Sequence, residues 1–223
     1  MKAYLRGFTF IVLVVGFFGL VQAFSSGSGE GASAPVHEAE AGPVPLYNGE
    51  SEPILLDEET EYSFPVDLAN EQWRQRLEPD QYATLIEHRT EPAFTGRYDG
   101  HTEAGIYYSA ASGQPLFRSE DKYDSGTGWP SYTRPISVDA VYHRIDTSLW
   151  TTRIEVIDSF SGAHLGHVFT DGPEPTGLRY CINSDALVFV AYEDNPPANL
   201  YDWSEIAELP DYGDIDLGPV ASE

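Results

Sequence analysis

Cysteine is almost missing from this 223-residue chain, where Cys181 stands alone. A single thiol excludes any intrachain disulfide, so Cys181 serves packing, metal binding or chemistry as a lone nucleophile. Positive charge is scarce as well: 12 basic residues face 36 acidic ones, the formal net charge is -24, and Lys2 and Lys122 are the sole lysines. A surface this acidic repels nucleic acid and anionic lipid, which removes both as partners. It is also the surface a protein working in high salt needs to stay hydrated, an expectation that unfolding measured against salt concentration tests. Long apolar runs are lacking too. The stretch Phe8 to Val21 is short for a membrane span, follows Lys2 and Arg6, and ends in Val21-Gln-Ala23, a pattern of small residues that signal peptidases cut. A secretory signal peptide over 1–23 is therefore expected, which makes the protein exported, periplasmic or extracellular, with membrane contact only if the segment stays uncleaved.

What is present suffices for one ordinary domain with appendages, since 41% of residues are hydrophobic and 13% aromatic. Residues 24–66, opening with Ser25-Ser-Gly-Ser-Gly-Glu-Gly-Ala-Ser33, read as a flexible acidic linker. Asn70 to Leu77 and Asp80 to His88 carry apolar residues at helical spacing, with Pro79 suited to start the second helix. From Gly105 the pattern changes to short β-type runs: Gly105 to Tyr108, Pro115 to Phe117, Val141 to Ile145, Thr151 to Ile157, His167 to Phe169, Leu178 to Ile182 and Ala186 to Tyr192. Turn residues separate them at close intervals. The expected fold class is mainly β, with antiparallel β-sheets forming one compact domain over 67–194 and short N-terminal helices. Residues 195–223 contain no Lys or Arg and read as an acidic tail, at most loosely docked through Tyr201 and Trp203.

Cys181 lies in Thr176-Gly-Leu-Arg-Tyr-Cys-Ile-Asn-Ser184, with His164-Leu-Gly-His167 and Asp171-Gly-Pro173 just upstream. On a strand, Arg179, Cys181 and Asn183 share one face, so a cation and an amide flank the sulfur. A nearby positive charge favours thiolate, whose free pKa is about 8.5, and the two histidines can add stabilisation or a proton. The alternative is a small buried thiol beside the core strand Ala186-Leu-Val-Phe-Val190.

Several motifs in order then narrow the reading. Arg89-Thr-Glu-Pro-Ala-Phe-Thr-Gly96, Lys122-Tyr-Asp-Ser-Gly-Thr-Gly-Trp-Pro-Ser-Tyr132, Ala163-His-Leu-Gly-His-Val-Phe169, Asp171-Gly-Pro173 and the Cys181 segment closely resemble the B-type peptide-methionine (R)-S-oxide reductases. The resemblance covers about residues 67 to 194. It implies an antiparallel β fold that reduces the R epimer of methionine sulfoxide, free or within oxidised proteins, with no cofactor. It implies that Cys181 is the nucleophile and becomes a sulfenic acid. His164, His167 and Asn183 match the polar side that binds and protonates the sulfoxide oxygen, Arg179 and Asp171 the pair that orients this group and tunes the thiol, and Trp129 the wall that receives the substrate methyl. A regular strand puts His164 and His167 on opposite faces, so both reach one site only if the Leu165-Gly166 step bends.

Three departures from the family pattern matter. Where many members hold structural zinc with two Cys-x-x-Cys pairs, this chain has Ser109, Ser112, Asp158 and Ser161, a poor tetrahedral set, so no metal is expected and the domain is expected to hold together by packing alone. Where many members carry a resolving cysteine, this chain has Thr127, so an external thiol, most simply a thioredoxin-like dithiol protein, must attack Cys181 directly. Export is the third. Two other readings compete: a metal-dependent hydrolase or dioxygenase with His164, His167, Asp171 and His143 as ligands, and a retired β module that only binds oxidised proteins.

Overall fold

The computed structural model describes residues 54–57 and 62–205. The expected signal peptide, most of the expected linker and the last part of the acidic tail lie outside the described residues. In chain order the elements are β1 (Leu55–Leu56), α1 (Asn70–Arg76), α2 (Pro79–Leu85), β2 (Gly105–Ser109), β3 (Pro115–Arg118), β4 (Lys122–Tyr123), β5 (Ser131–Tyr132), β6 (Val141–Asp146), β7 (Arg153–Asp158), β8 (His164–Phe169), β9 (Arg179–Ile182) and β10 (Leu187–Ala191). The architecture is mainly β, as expected. A seven-stranded sheet runs β1-β6-β7-β8-β9-β5-β4 and a three-stranded sheet runs β10-β2-β3. Every pairing is antiparallel except β1 with β6.

Period-two and continuous apolar runs explain the strands. All five residues of β2 are buried, because it is the middle strand of its sheet and both its faces are covered. Tyr107, Leu116 and Phe117 of the small sheet share one core with Tyr132, Val141, Val156, Leu165, Tyr180 and Ile182 of the large one. Phe117 stacks on Tyr132 with ring centroids 4.3 Å apart, which adds the offset-ring attraction to area burial. The two helices close one side. Each starts with a glutamine reaching back: Gln72 Oε1 accepts from Ala69 N and Gln81 Oε1 from Glu78 N, satisfying N–H groups the helix leaves unpaired. Trp73, Tyr82 and Leu85 face the core.

Three expectations need correction. Part of the region read as linker is structured: Leu55 and Leu56 pair with His143 and Arg144, and Val66 is fully buried. Composition pointed to disorder, but two leucines suffice to extend an open sheet edge. The start of the tail is also firmly held. Trp203 is 3% exposed, its Nε1 donates to Ser112 O at 2.7 Å, and the Arg76 guanidinium lies 4.3 Å over its ring. Finally, packing is not alone in joining the sheets. The Asp158 carboxylate accepts from Ser109 Oγ, Ser112 Oγ, Gln114 Nε2, Phe160 N and Ser161 N, tying the β2–β3 turn to the β7–β8 turn. Three of the four positions expected to form a poor zinc set, Ser109, Ser112 and Ser161, thus converge on the fourth, Asp158.

Candidate active site

Strands β8 and β9 run side by side with His167 directly opposite Cys181. Opposed residues on one face lie close enough for their side chains to interact. The approach requires Gly166, since a Cβ there would run into the Cys181 carbonyl. His164 reaches the same place through a bulge. Val156 of β7 pairs with Gly166 and Ile157 with His164, which leaves Leu165 as an extra residue without a partner. The extra residue turns His164 toward His167, and the ring centroids are 5.4 Å apart. This bulge is the bend that the Leu165-Gly166 step was expected to supply. Asn183 stabilises it, donating to Leu165 O from both its backbone N (2.9 Å) and its Nδ2 (3.0 Å).

Carboxylates set the histidine tautomers. Glu155 Oε1 lies 2.6 Å from His164 Nδ1, and Asp146 Oδ2 lies 2.9 Å from His167 Nε2. An ionised carboxylate can only accept, so these nitrogens carry hydrogens, and whenever the ring is neutral its other nitrogen, His164 Nε2 or His167 Nδ1, is the acceptor. His164 Nε2 is buried without a protein partner. Both carboxylates are firmly ionised: burial pushes Glu155 up, but hydrogen bonds from His164 and His88 and the charge of Arg144 hold it well below the usual range. Asp146 is likewise held low against burial by bonds from Ser148, His167 and Arg153. Burial is the main effect on His167 and pulls its pKa below 6.5, so the ring is neutral at pH 7.

Burial pushes the Cys181 thiol up, and the opposing pull of Arg179 and of a Thr127 hydrogen bond does not reverse it. Arg179 pulls toward thiolate, the direction expected of a flanking charge, but burial outweighs it and the resting group is a thiol. Part of the Arg179 charge is taken by Asp171, which it grips with two bonds of 2.8 and 2.9 Å. Thr127, standing where a resolving cysteine was looked for, touches the sulfur it would have resolved.

Trp129 is half-buried, and its Nε1 donates to Glu91 O at 3.1 Å. Gly128 precedes it at φ 90°, where a Cβ would strike Phe94. Glu91 was missed by the sequence reading although it joins two walls of the site. Its backbone N donates to Asn183 Oδ1, and its carboxylate accepts from the backbone N of Ser184 and Asp185. Asp146, Glu155 and His88 were missed as well. The available signal was an acid embedded in the Ile/Val strand Arg153-Ile-Glu-Val-Ile157 close to a His-x-x-His pair.

Cys181, Trp129, His167, Asn183, Phe169, Gly166, Thr90 and Arg153 line a cavity of about 120 Å³. That is below the roughly 300–1,000 Å³ of drug-sized ligand sites and suits a small side chain. His164 stands behind it, lining a second, polar cavity of about 400 Å³ that shares Thr90, Arg153 and His167. Cys181, His167, Asn183 and Trp129 are therefore gathered around one cavity, with His164 on the adjoining one, Arg179 beside the sulfur, and Asp171, 63% exposed, outside as the partner of Arg179. The alternative ligand set is not gathered: His143 is fully buried with its ring 5.7 Å from Tyr180.

Known proteins resemble this chain across the whole of this region. The SelR domain family matches residues 77–191. A "peptide methionine sulfoxide reductase MsrB" of Thioalkalivibrio sulfidiphilus is 53% identical over 127 residues, 57% of this chain and 93% of that protein. A protein of the same name from Thiobacillus denitrificans is 54% identical over 118 residues, 53% of this chain and 89% of its own length. A third, from Agrobacterium fabrum, is 49% identical over 124 residues, 56% and 92% of the two chains.

Proposed function

The chain belongs to the SelR family, and from that premise we propose that it is an exported oxidoreductase that reduces the R epimer of methionine sulfoxide to methionine through Cys181. The observation that carries this reading is the small cavity in which thiol, indole ring and neutral imidazole converge. A methyl sulfoxide pairs a greasy methyl with a strongly polar oxygen. The Trp129 ring offers a flat apolar wall for the first, and the second accepts a hydrogen from His167 once that ring has taken the Cys181 proton, with His164 and Asn183 completing the polar side.

The reaction then runs as a transfer of oxygen from one sulfur to another. Cys181 gives up its proton as Sγ attacks the sulfoxide sulfur, and His167, directly opposite on the neighbouring strand, is the acceptor for it. That proton goes to the sulfoxide oxygen as its bond to sulfur breaks. The hydroxyl oxygen bonds to Sγ as the transient Sγ–S bond breaks with its electron pair going to methionine, which leaves, and Cys181 holds the oxygen as a sulfenic acid. Arg179, oriented by Asp171, stabilises negative charge on sulfur as it forms. An external thiol condenses with the sulfenic acid, releasing water and forming a mixed disulfide that a second thiol opens. Thr127 cannot take that part, so a thioredoxin-like dithiol protein is the partner expected on the exported side. Substrates are oxidised proteins or free methionine sulfoxide.

No step needs a metal. The donors around Asp158 point hydrogens, not lone pairs, at its carboxylate, so these residues do not fit a zinc ion, and the node supports a zinc-free domain.

Turnover of both sulfoxide epimers with dithiothreitol, followed by mass spectrometry of Cys181, tests the proposal. Reduction of the R epimer, with an added oxygen or mixed disulfide on Cys181, is expected. Turnover that survives Cys181→Ser would overturn it.

A further inference from the structure

The polar cavity behind the thiol contains a cluster that the reductase reaction does not use in full. His88, Glu155 and His164 each offer a ligand atom within 4.8 Å of the other two, the one such group of three metal-capable side chains among the described residues. Glu155 Oε1 stands 3.0 Å from His88 Nδ1 and 2.6 Å from His164 Nδ1. Tetrahedral zinc with bonds of about 2.0–2.1 Å separates its ligands by roughly 3.3 Å, so modest widening makes room for an ion. Two imidazoles with one carboxylate are the donors that borderline divalent cations favour. Arg144 occupies Glu155 Oε2 at 2.8 Å, which leaves Oε1 as a single-oxygen ligand.

The arrangement also offers access and room. His164 and Glu155 are buried, whereas the His88 side chain is 49% exposed and forms the solvent side of the cluster. Its backbone, at φ 56°, takes the left-handed turn that starts the segment leading to Glu91. The adjoining cavity of about 400 Å³ has space for water to complete the coordination.

We propose that His88, Glu155 and His164 form a binding site for a borderline divalent cation such as zinc, and that filling it inhibits the enzyme by immobilising His164. The second half rests on the reductase reading; the first does not. Bound metal takes the Nδ1 lone pair of His164, moves its hydrogen to the buried Nε2 and ties the ring to the ion, so His164 can no longer take up or pass on a proton beside Cys181. Glu155, pulled toward the ion, no longer sets the tautomer that the reaction needs. Excess zinc would thus silence the enzyme while leaving Cys181 chemically intact.

The test uses the full chain with Cys181→Ser, so that the thiol cannot bind metal, titrated with zinc chloride in a calorimeter. One equivalent should bind, and adding His88→Gly, which keeps the left-handed backbone available, should weaken binding roughly tenfold or more. Binding that is indifferent to His88→Gly, or none at 100 μM zinc, overturns the site. In parallel, pre-reduced, thiol-free enzyme with Cys181 in place is mixed with methionine-(R)-sulfoxide for one turnover. Zinc should suppress methionine formation, a chelator should restore it, and His88→Gly should raise the zinc needed by a similar factor. Zinc bound without loss of turnover overturns the inhibitory half. An enzyme that makes no methionine even without zinc refutes the reductase reading instead, while the calorimetry still decides the site.

Discussion

Two buried polar clusters hang on the same β7–β8 hairpin, and they are built on opposite principles. Around Asp158, five donors converge on one carboxylate, and nothing there is left to bind a substrate. Around Cys181, hydrogen bonds are used to aim groups, and their other ends are kept open: His164 gives Nδ1 to Glu155 and keeps a buried Nε2 unpaired. A polar cluster that holds a fold together is satisfied completely, because each unsatisfied buried group costs about 1–3 kcal/mol. A cluster that performs chemistry accepts that cost at the atoms the substrate will meet.

The sharpest way to break this contrast is to exchange the effects. Cys181→Ser should reduce turnover roughly 10³-fold or more while leaving the unfolding midpoint nearly unchanged, because the thiol contributes chemistry and little packing. Thermal unfolding alongside steady-state assays checks both halves. Asp158→Ala should do the reverse. It strands several donors in the interior and should lower stability by about 3–5 kcal/mol, with kcat per folded molecule retained. A large drop in kcat for the folded variant would mean that the two clusters are one unit.

His143 gives a third, pH-dependent comparison. Burial pulls its pKa down to about 4, against about 6.5 for an unfolded histidine. As pH falls below about 6.5 the unfolded chain takes up a proton that the folded one refuses, so stability is full above that pH and erodes until about pH 4. The gap corresponds to about 3 kcal/mol, lost on acidification. His143→Leu should flatten this acid limb in urea titrations run between pH 7 and 4, with turnover at pH 7 unaffected. The smallest effect is expected at Glu91, which belongs to both principles at once. Glu91→Gln keeps one carbonyl oxygen for Ser184 N but sets an amide against Asp185 N, loosening Trp129 and Asn183 together. A fall in kcat/KM of about tenfold is expected, with only slight destabilisation. A variant that lost stability but kept kcat/KM would move Glu91 wholly to the structural side.

The strands that were legible in the sequence are those whose β-branched and aromatic runs bury themselves, such as Val141 to Ile145 and Ala186 to Tyr192. The two-residue strands β4 and β5 lie in a Gly/Ser-rich stretch and exist because β5 pairs with β9 and β4 with β5, which no local pattern announces. In the site, Cys181, the two histidines and Trp129 stood out through residue type and motif. Glu91, Glu155 and Asp146 did not, because an acid among 36 looks like surface charge until the fold brings it against its partner. Glu91 meets Ser184 across more than ninety residues of chain. The raised thiol pKa was likewise hidden, since alternation along a strand shows which charges flank the sulfur and says nothing of how much water is removed from it.

Trp203 has a practical consequence for anyone who trims this protein by similarity. The family match stops at Ala191, yet the indole beyond it plugs the turn that holds Ser109 and Ser112. A fragment cut at the homology boundary would carry every motif residue and still expose a hole in the core, at a cost of about 3–5 kcal/mol for an aromatic ring of this size. The piece that relatives share and the piece that can stand by itself in solution are different lengths of chain.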